Sequence, residues 1–349
     1  ITLTDQLTEN RYMNKKKICI IYTGGTIGMV STEHGFAPCK GNLQTVMDSI
    51  PDFKDDSLPE WDIVEFDELL DSSNMGINEW NMIGRTIYEK YSSYDGFVVL
   101  HGTDTMAYTA SALSFMLENL AKPVILTGSQ IPLCLIRSDG RDNLLASLLI
   151  AADGKAREVC ICFGSKLLRG NRATKKSADA LNAFSSYNCP LLAEVGININ
   201  YNDDVIDKAM TGKPLNLVEF KETSISVIKM FPGIHPGIYQ FAVNDHFKGV
   251  ILETFGAGNI PNDESLLSVI REASKNDTIF VVCSQCNAGK VSLGGYEAGN
   301  IFKEAGAVSG YDMTTECAIA KLYYLYSKGF TPDTIKEMLE IPIRKELTY

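Results

Sequence analysis

The sequence predicts an α/β protein of two α/β domains, the larger N-terminal one built on a mainly parallel sheet flanked by helices. Three observations carry this. Short, almost purely apolar runs recur, such as "KICIIYT", "GFVVL" and "EVCICF", the pattern of strands covered on both faces. Segments with apolar residues at helical spacing alternate with them. The 349 residues also exceed the ~100–200 that one core usually organises.

In chain order, "KICIIYT" (residues 17–23) reads as a buried strand, and "WDIVEF" (61–66) as another. "INEWNMIGRTIYEKY" places Trp80, Ile83, Ile87 and Tyr91 on one helical face. "GFVVL" (96–100) is a strand. "TMAYTASALSFMLENL" aligns Met106, Ala110, Leu113, Leu117 and Leu120 in steps of four and three, predicting a helix as far as Leu120. "PVILTGS" and "EVCICF" are strands around the helix "DNLLASLLIAAD". Residues 201–223 are polar and aperiodic, and read as a linker or edge region. Alternation then resumes with strands "ISVIKMF", "GVILETF" and "TIFVVCS". The later helices are "DESLLSVIREASK", "ECAIAKLYYLYSK" and "PDTIKEMLE", the last opened by Thr331 and Pro332 as cap and first turn. The expected division is 14–205, a linker at 206–224, and a smaller domain at 225–349.

A net charge of −11 argues against non-specific binding to nucleic acid or an anionic membrane. No apolar run approaches the ~20 residues of a membrane span. Lys15–Lys17 precede too short an apolar stretch for a signal peptide, and residues 1–12 read as an upstream tail. Nine cysteines, an odd and scattered set, suit a reducing compartment. Cys283 and Cys286 form a C-x-x-C, but a zinc site needs a second ligand pair and the four histidines are unpaired at helical spacing. Cys160 and Cys162 fit a strand.

In a parallel sheet, loops at the carboxyl ends of the strands converge. Five polar loops follow strands: "TGGTIG" (23–28), "HGTDT" (101–105), "TGSQIP" (127–132), "GSKLLRGNRATKKS" (164–177) and "GAGNIP" (256–261). The first meets neither nucleotide fingerprint. By residues alone it splits evenly between nucleotide binding, a tight strand exit and catalysis. Thr103, Asp104 and Thr105 exceed what one helix cap requires. A threonine nucleophile needs a base. His101 reads as a packed turn residue, which leaves Lys175 and Lys176, although a solvated basic turn is the better reading of those two by sequence alone. Ser72 and Ser73, in "DSSNM", could bind a small carboxylate.

Together, "YTGGTIGM", "LLDSSNM", "GFVVLHGTDTMAYTASALSFMLENL", "PVILTGSQIPL", "RSDGRDNL", "RGNRATK", "GAGNIP" and "GGYEAGN" resemble the bacterial L-asparaginase family, closest to its cytoplasmic type I branch. The resemblance runs from Lys15 to the C-terminus. It implies a homo-oligomer, homotetramer or homodimer, that hydrolyses L-asparagine to L-aspartate and ammonia with no cofactor and no metal. It implies Thr26 as nucleophile and a second triad of Thr103, Asp104 and Lys175, with Asp104 also holding the substrate α-ammonium. It places the α-carboxylate at Asp71, Ser72 and Ser73, and the side-chain amide at Ser129. Asn259 would approach from the C-terminal domain, often of a neighbouring subunit. The alternatives are another amide substrate (glutamine or amidated tRNA), or a non-catalytic small-ligand-binding α/β protein.

Two departures stand out. The family's lid tyrosine, which supports the nucleophile, is matched by Phe36. A candidate allosteric site at Glu253, Thr254, Asn259, Ser284 and Cys286 carries Glu253 where responsive members have an arginine. That carboxylate would repel an asparagine α-carboxylate, so little activation is expected.

Overall fold

The apolar run at residues 18–22 becomes the Lys17–Gly24 strand, buried from its second residue onward. The computed structural model describes residues 15–33, 35–206, 212–244, 247–260, 264–294 and 297–349. The strand pairs in parallel with Glu60–Leu70 on one side and Gly96–Leu100 on the other. Val124–Thr127 and Val159–Phe163 continue the parallel stack. Both faces are covered: Cys19, Ile21, Phe97 and Val99 enter one core cluster, and Ile18, Ile20, Val98 and Leu100 another. That alternation is the period-two geometry of a strand with core on each side.

Beyond Val159–Phe163 the direction reverses. Lys166–Arg169, Ala193–Val195 and Ile199–Tyr201 add antiparallel strands to complete an eight-stranded sheet. The expected polar loop after "EVCICF" is therefore partly strand. Gly164 and Ser165, both at positive φ, turn the chain straight back, so no crossover helix intervenes. The helix after "GFVVL" also departs from expectation. It spans Met106–Met116, and Leu117–Glu118 then pairs antiparallel with Asn216–Leu217. Asn119 follows at φ 62, a left-handed conformation that asparagine tolerates. Part of the polar stretch at 201–223 is thus drawn into sheet pairing; residues 207–211 of it lie outside the described residues.

The C-terminal part carries a parallel sheet of Ile225–Lys229, Gly249–Thr254, Ile279–Ser284 and Val308–Ser309. The Pro332–Leu339 helix is capped as its sequence predicts, Thr331 accepting from the Thr334 N–H. No helix among the described residues is long and apolar enough to cross a membrane.

Sheet order fixes the crevice. From Lys17–Gly24 the chain moves to Glu60–Leu70 at one side, then passes to Gly96–Leu100 at the other. The carboxyl ends of Lys17–Gly24 and Gly96–Leu100 therefore flank a topological switch point, where ligands bind in open α/β sheets.

Buried charge joins the two parts at Arg172 and braces the C-terminal part within itself. Arg172 donates to both Asp312 carboxylate oxygens at 2.9 and 2.7 Å. Lys321 meets Glu346 at 2.6 Å with both side chains wholly buried, and also donates to the Leu339 and Ile341 carbonyls. Replacing Lys321 by alanine strands the Glu346 carboxylate and is expected to lower the unfolding free energy by ~3–5 kcal/mol. Replacing the pair by Lys321→Met and Glu346→Leu together is expected to cost much less. Denaturant midpoints check both; an unchanged midpoint in Lys321→Ala contradicts the first.

Candidate active site

The strand exits touch backbone to backbone. Gly25, at φ 83, follows the Lys17–Gly24 strand, and a Cβ there would lie 2.5 Å from the Gly102 nitrogen. A Cβ on Gly102 would lie 2.6 Å from the Ser72 hydroxyl oxygen. Both contacts exclude any side chain, because real Cβ atoms do not approach so closely. Three turns are thereby welded together: the one bearing Thr26, the one bearing Asp71, Ser72 and Ser73, and "HGTDT". Thr105 adds a hydrogen bond to the Ser72 carbonyl at 2.7 Å. Asp71 caps its own turn by accepting from the Ser73 N–H. Thr26 opens the short 3₁₀ turn Thr26–Gly28 and is half-buried.

Lys175 arrives from across the sheet. Its ammonium donates to the Thr103 hydroxyl at 2.9 Å and to the Asp104 carboxylate at 2.6 Å. Its side chain is 17% exposed and that of Asp104 65%. Lys175 is thus not the solvated basic turn that the charge run suggests, and one face of Asp104 is open to a ligand. Thr103 is buried and donates onward to the Gln130 side-chain oxygen at 3.3 Å. Gln130 was not among the sequence candidates. Its amide nitrogen donates to the Ala178 and Ala180 carbonyls, which fixes the oxygen toward Thr103. Its presence in "TGSQ" was the available signal, but the role depends on a loop some fifty residues away.

His101 is fully buried, and burial pushes its pKa down to about 4. The ring is therefore neutral. Nδ1 faces the Gly102 carbonyl at 2.6 Å, an acceptor, so Nδ1 carries the proton. Nε2 must then accept from the Thr109 hydroxyl at 2.8 Å, which in turn accepts from the Trp80 indole N–H. The His101 ring nitrogens, the Thr109 hydroxyl and the Trp80 N–H are all satisfied, and the ring locks the "HGTDT" turn as a packed residue.

The other candidates are scattered. Ser129 is buried one residue from Gln130, and its hydroxyl has no partner among the described residues. Asn259 is exposed at the end of the Gly249–Thr254 strand and bridges only to the backbone of Phe255. Phe36 is 47% exposed on the hairpin of Met29–Thr32 and Gly35–Pro38. Glu253, Ser284 and Cys286 line a polar cavity of about 200 Å³ with Thr174, Lys229 and Glu316, whereas Thr254 is buried and donates to the Cys283 carbonyl. Among the described residues no cluster of three or more His, Cys, Asp or Glu is placed to hold a metal.

The family model described as Asparaginase, N-terminal, matches residues 17–207, and that described as Glutaminase/Asparaginase C-terminal domain matches residues 224–339. L-asparaginase 1 of Escherichia coli (strain K12) is 43% identical over 345 residues, spanning 96% of this chain and 99% of its own. The 60 kDa lysophospholipase of Mus musculus is 40% identical over 356 residues, spanning 96% of this chain and 63% of its own. The crystal structure of L-asparaginase I from Vibrio cholerae O1 biovar eltor aligns with a TM-score of 0.89 at 45% identity, covering 96% of this chain and all of that one.

Two expectations follow from the geometry. Gly102→Ala must displace Ser72 and is expected to abolish activity while costing ~1–3 kcal/mol of stability. The pH dependence of stability has a definite sign. The folded His101 pKa of about 4 lies below its ordinary 6.5, so the unfolded chain binds a proton first as pH falls. Stability is lost between pH 6.5 and 4, by ~3 kcal/mol for this group. His101→Gln is expected to be less stable at neutral pH but to lose less over that window; parallel slopes of unfolding free energy against pH contradict this.

Proposed function

The chain belongs to the asparaginase family, and from that premise we propose that it hydrolyses L-asparagine to L-aspartate and ammonia through a Thr26 acyl-enzyme. The observation that carries this reading is the Lys175 ammonium shared between Thr103 and Asp104, beside the turn that presents Thr26.

The exposed face of Asp104 takes the substrate α-ammonium, and the loop of Asp71, Ser72 and Ser73 takes the α-carboxylate. The side-chain amide then lies between Thr26 and Thr103, near Ser129. Thr26 Oγ1 attacks the amide carbon. The oxyanion is held by backbone N–H groups of the Thr26 and Thr103 turns, in a site whose donors are already fixed by packing. The C–N bond breaks, the amide nitrogen takes the proton released by Thr26, and ammonia leaves. Thr103, backed by Lys175, orients a water whose hydroxyl joins the acyl carbon while its proton returns to Thr26. In the arrangement seen here the lysine donates.

Asn259 lies exposed and apart from this cluster, which fits a homo-oligomer, dimer or tetramer, in which the partner subunit's Asn259 completes the site. The nine cysteines are all free, which fits the cytoplasm. The acidic net charge disfavours a tRNA substrate. Asparagine and glutamine differ by one methylene, worth only ~1–3 kcal/mol in a pocket.

Ammonia release from L-asparagine and L-glutamine, without added metal or nucleotide, tests the reading. Thr26→Ala and Lys175→Met are each expected to lower kcat by on the order of 10³-fold or more while remaining folded. No release by the wild type sinks it. With Glu253 facing the polar cavity, the rate curve in asparagine is expected to be hyperbolic, and a clearly sigmoidal curve contradicts that part.

A further inference from the structure

The two-residue strand Thr174–Lys175 pairs only with Phe184–Ser185, a ladder too short to fix its own orientation. Yet it must deliver an ammonium at the end of a four-carbon stem to within 3 Å of both Thr103 and Asp104. Successive side chains of a strand leave opposite faces. Lys175 leaves toward Thr103. Thr174 leaves toward the Thr315–Ser327 helix, and its hydroxyl donates to the Glu316 carboxylate at 2.7 Å. Anchoring one face of so short a strand sets its rotation, and rotation sets where the other face points.

We infer that Glu316 is a positioning residue for Lys175, acting through Thr174. The inference rests on the reading of Lys175 as catalytic. The chain entering the strand is already fixed by Arg172, two residues earlier, gripping Asp312 just before the same helix. Thr174 and Glu316 supply the remaining constraint, rotation about the strand axis. Glu316 is half-buried in the first turn of the Thr315–Ser327 helix, has no ion pair among the described residues, and shares a cavity wall with Glu253. Burial, and more weakly the Glu253 charge, raises its pKa against hydrogen bonds from Thr174, Thr314 and its own backbone.

The test is steady-state ammonia release by the full chain in Glu316→Ala, Glu316→Gln, Thr174→Val, the double variant Thr174→Val/Glu316→Ala, and Lys175→Met. Each of Glu316→Ala and Thr174→Val is expected to lower kcat ~10–100-fold, the cost of misplacing a reacting group by about an ångström, with KM within about twofold. The double variant is expected to be no worse than the worse single one, because both remove the same bond. Glu316→Gln keeps an acceptor for Thr174 and is expected to retain most of the activity. Near-normal kcat in Thr174→Val, multiplicative losses in the double variant, or a Glu316→Gln loss equal to that of Glu316→Ala overturns the inference. Thr174→Val is nearly isosteric and keeps the test decisive should Glu316→Ala fail to fold. Full activity in Lys175→Met instead overturns the reading of Lys175, an outcome separable from the others.

Discussion

The contact on which the site depends is the backbone approach of Gly25 to Gly102, with Gly102 pressed in turn against the Ser72 side chain. It forms where the sheet's order reverses, so the exits of the neighbouring strands Lys17–Gly24 and Gly96–Leu100 lie side by side. Close packing of main chain leaves no room for relaxation. Thr26 and Thr103 are consequently held in relation to one another by backbone rather than by flexible side chains. A chemistry that needs a hydroxyl and a water-orienting group on opposite sides of one amide is served by such rigidity.

Charge is distributed with the same economy. The ring beneath the site, His101, is kept neutral by burial and serves as a clamp rather than a base. The cation at the site is Lys175, brought by a separate two-stranded ladder and placed against an acid that is still open to solvent. The neighbouring polar cavity has the opposite character, with Glu253 and Glu316 both on its wall and Thr315 donating to Glu253 at 2.6 Å. Thr174 belongs to that wall and Lys175 to the site, so adjacent residues of one short strand border both regions.

The parallel strands were legible because strands covered on both faces must be apolar throughout, and "KICIIYT" and "GFVVL" are. The three antiparallel strands were not, since their cause is the two-residue turn at Gly164 and Ser165, and such a turn leaves no periodicity to count. The end of the helix at Met116 escaped for a related reason: Leu117 keeps the helical spacing, but its backbone is claimed by Leu217, a hundred residues on. At the site, the residues clustered in sequence were visible as motifs. Lys175 looked solvated because composition cannot show that Thr103 and Asp104 face it. Gln130 carried no local sign of its bond to Thr103. Long-range partners, rather than local propensity, decide each of these positions.

The buried clamp of residues 344–348 has a consequence for the order in which the molecule can be built. Arg172, three positions before Lys175, is gripped partly by Asp312 and by the Glu346 carbonyl, and Asp312 in turn is held by the Thr348 backbone. On the ribosome these partners emerge long after the strands and turns that carry Thr26 and Thr103. The parallel sheet can therefore assemble while its lysine strand is still untethered, and the site matures only when late-made chain threads back beneath early-made chain. On the reading of Lys175 proposed above, a nascent chain folded in its first half lacks the placed ammonium.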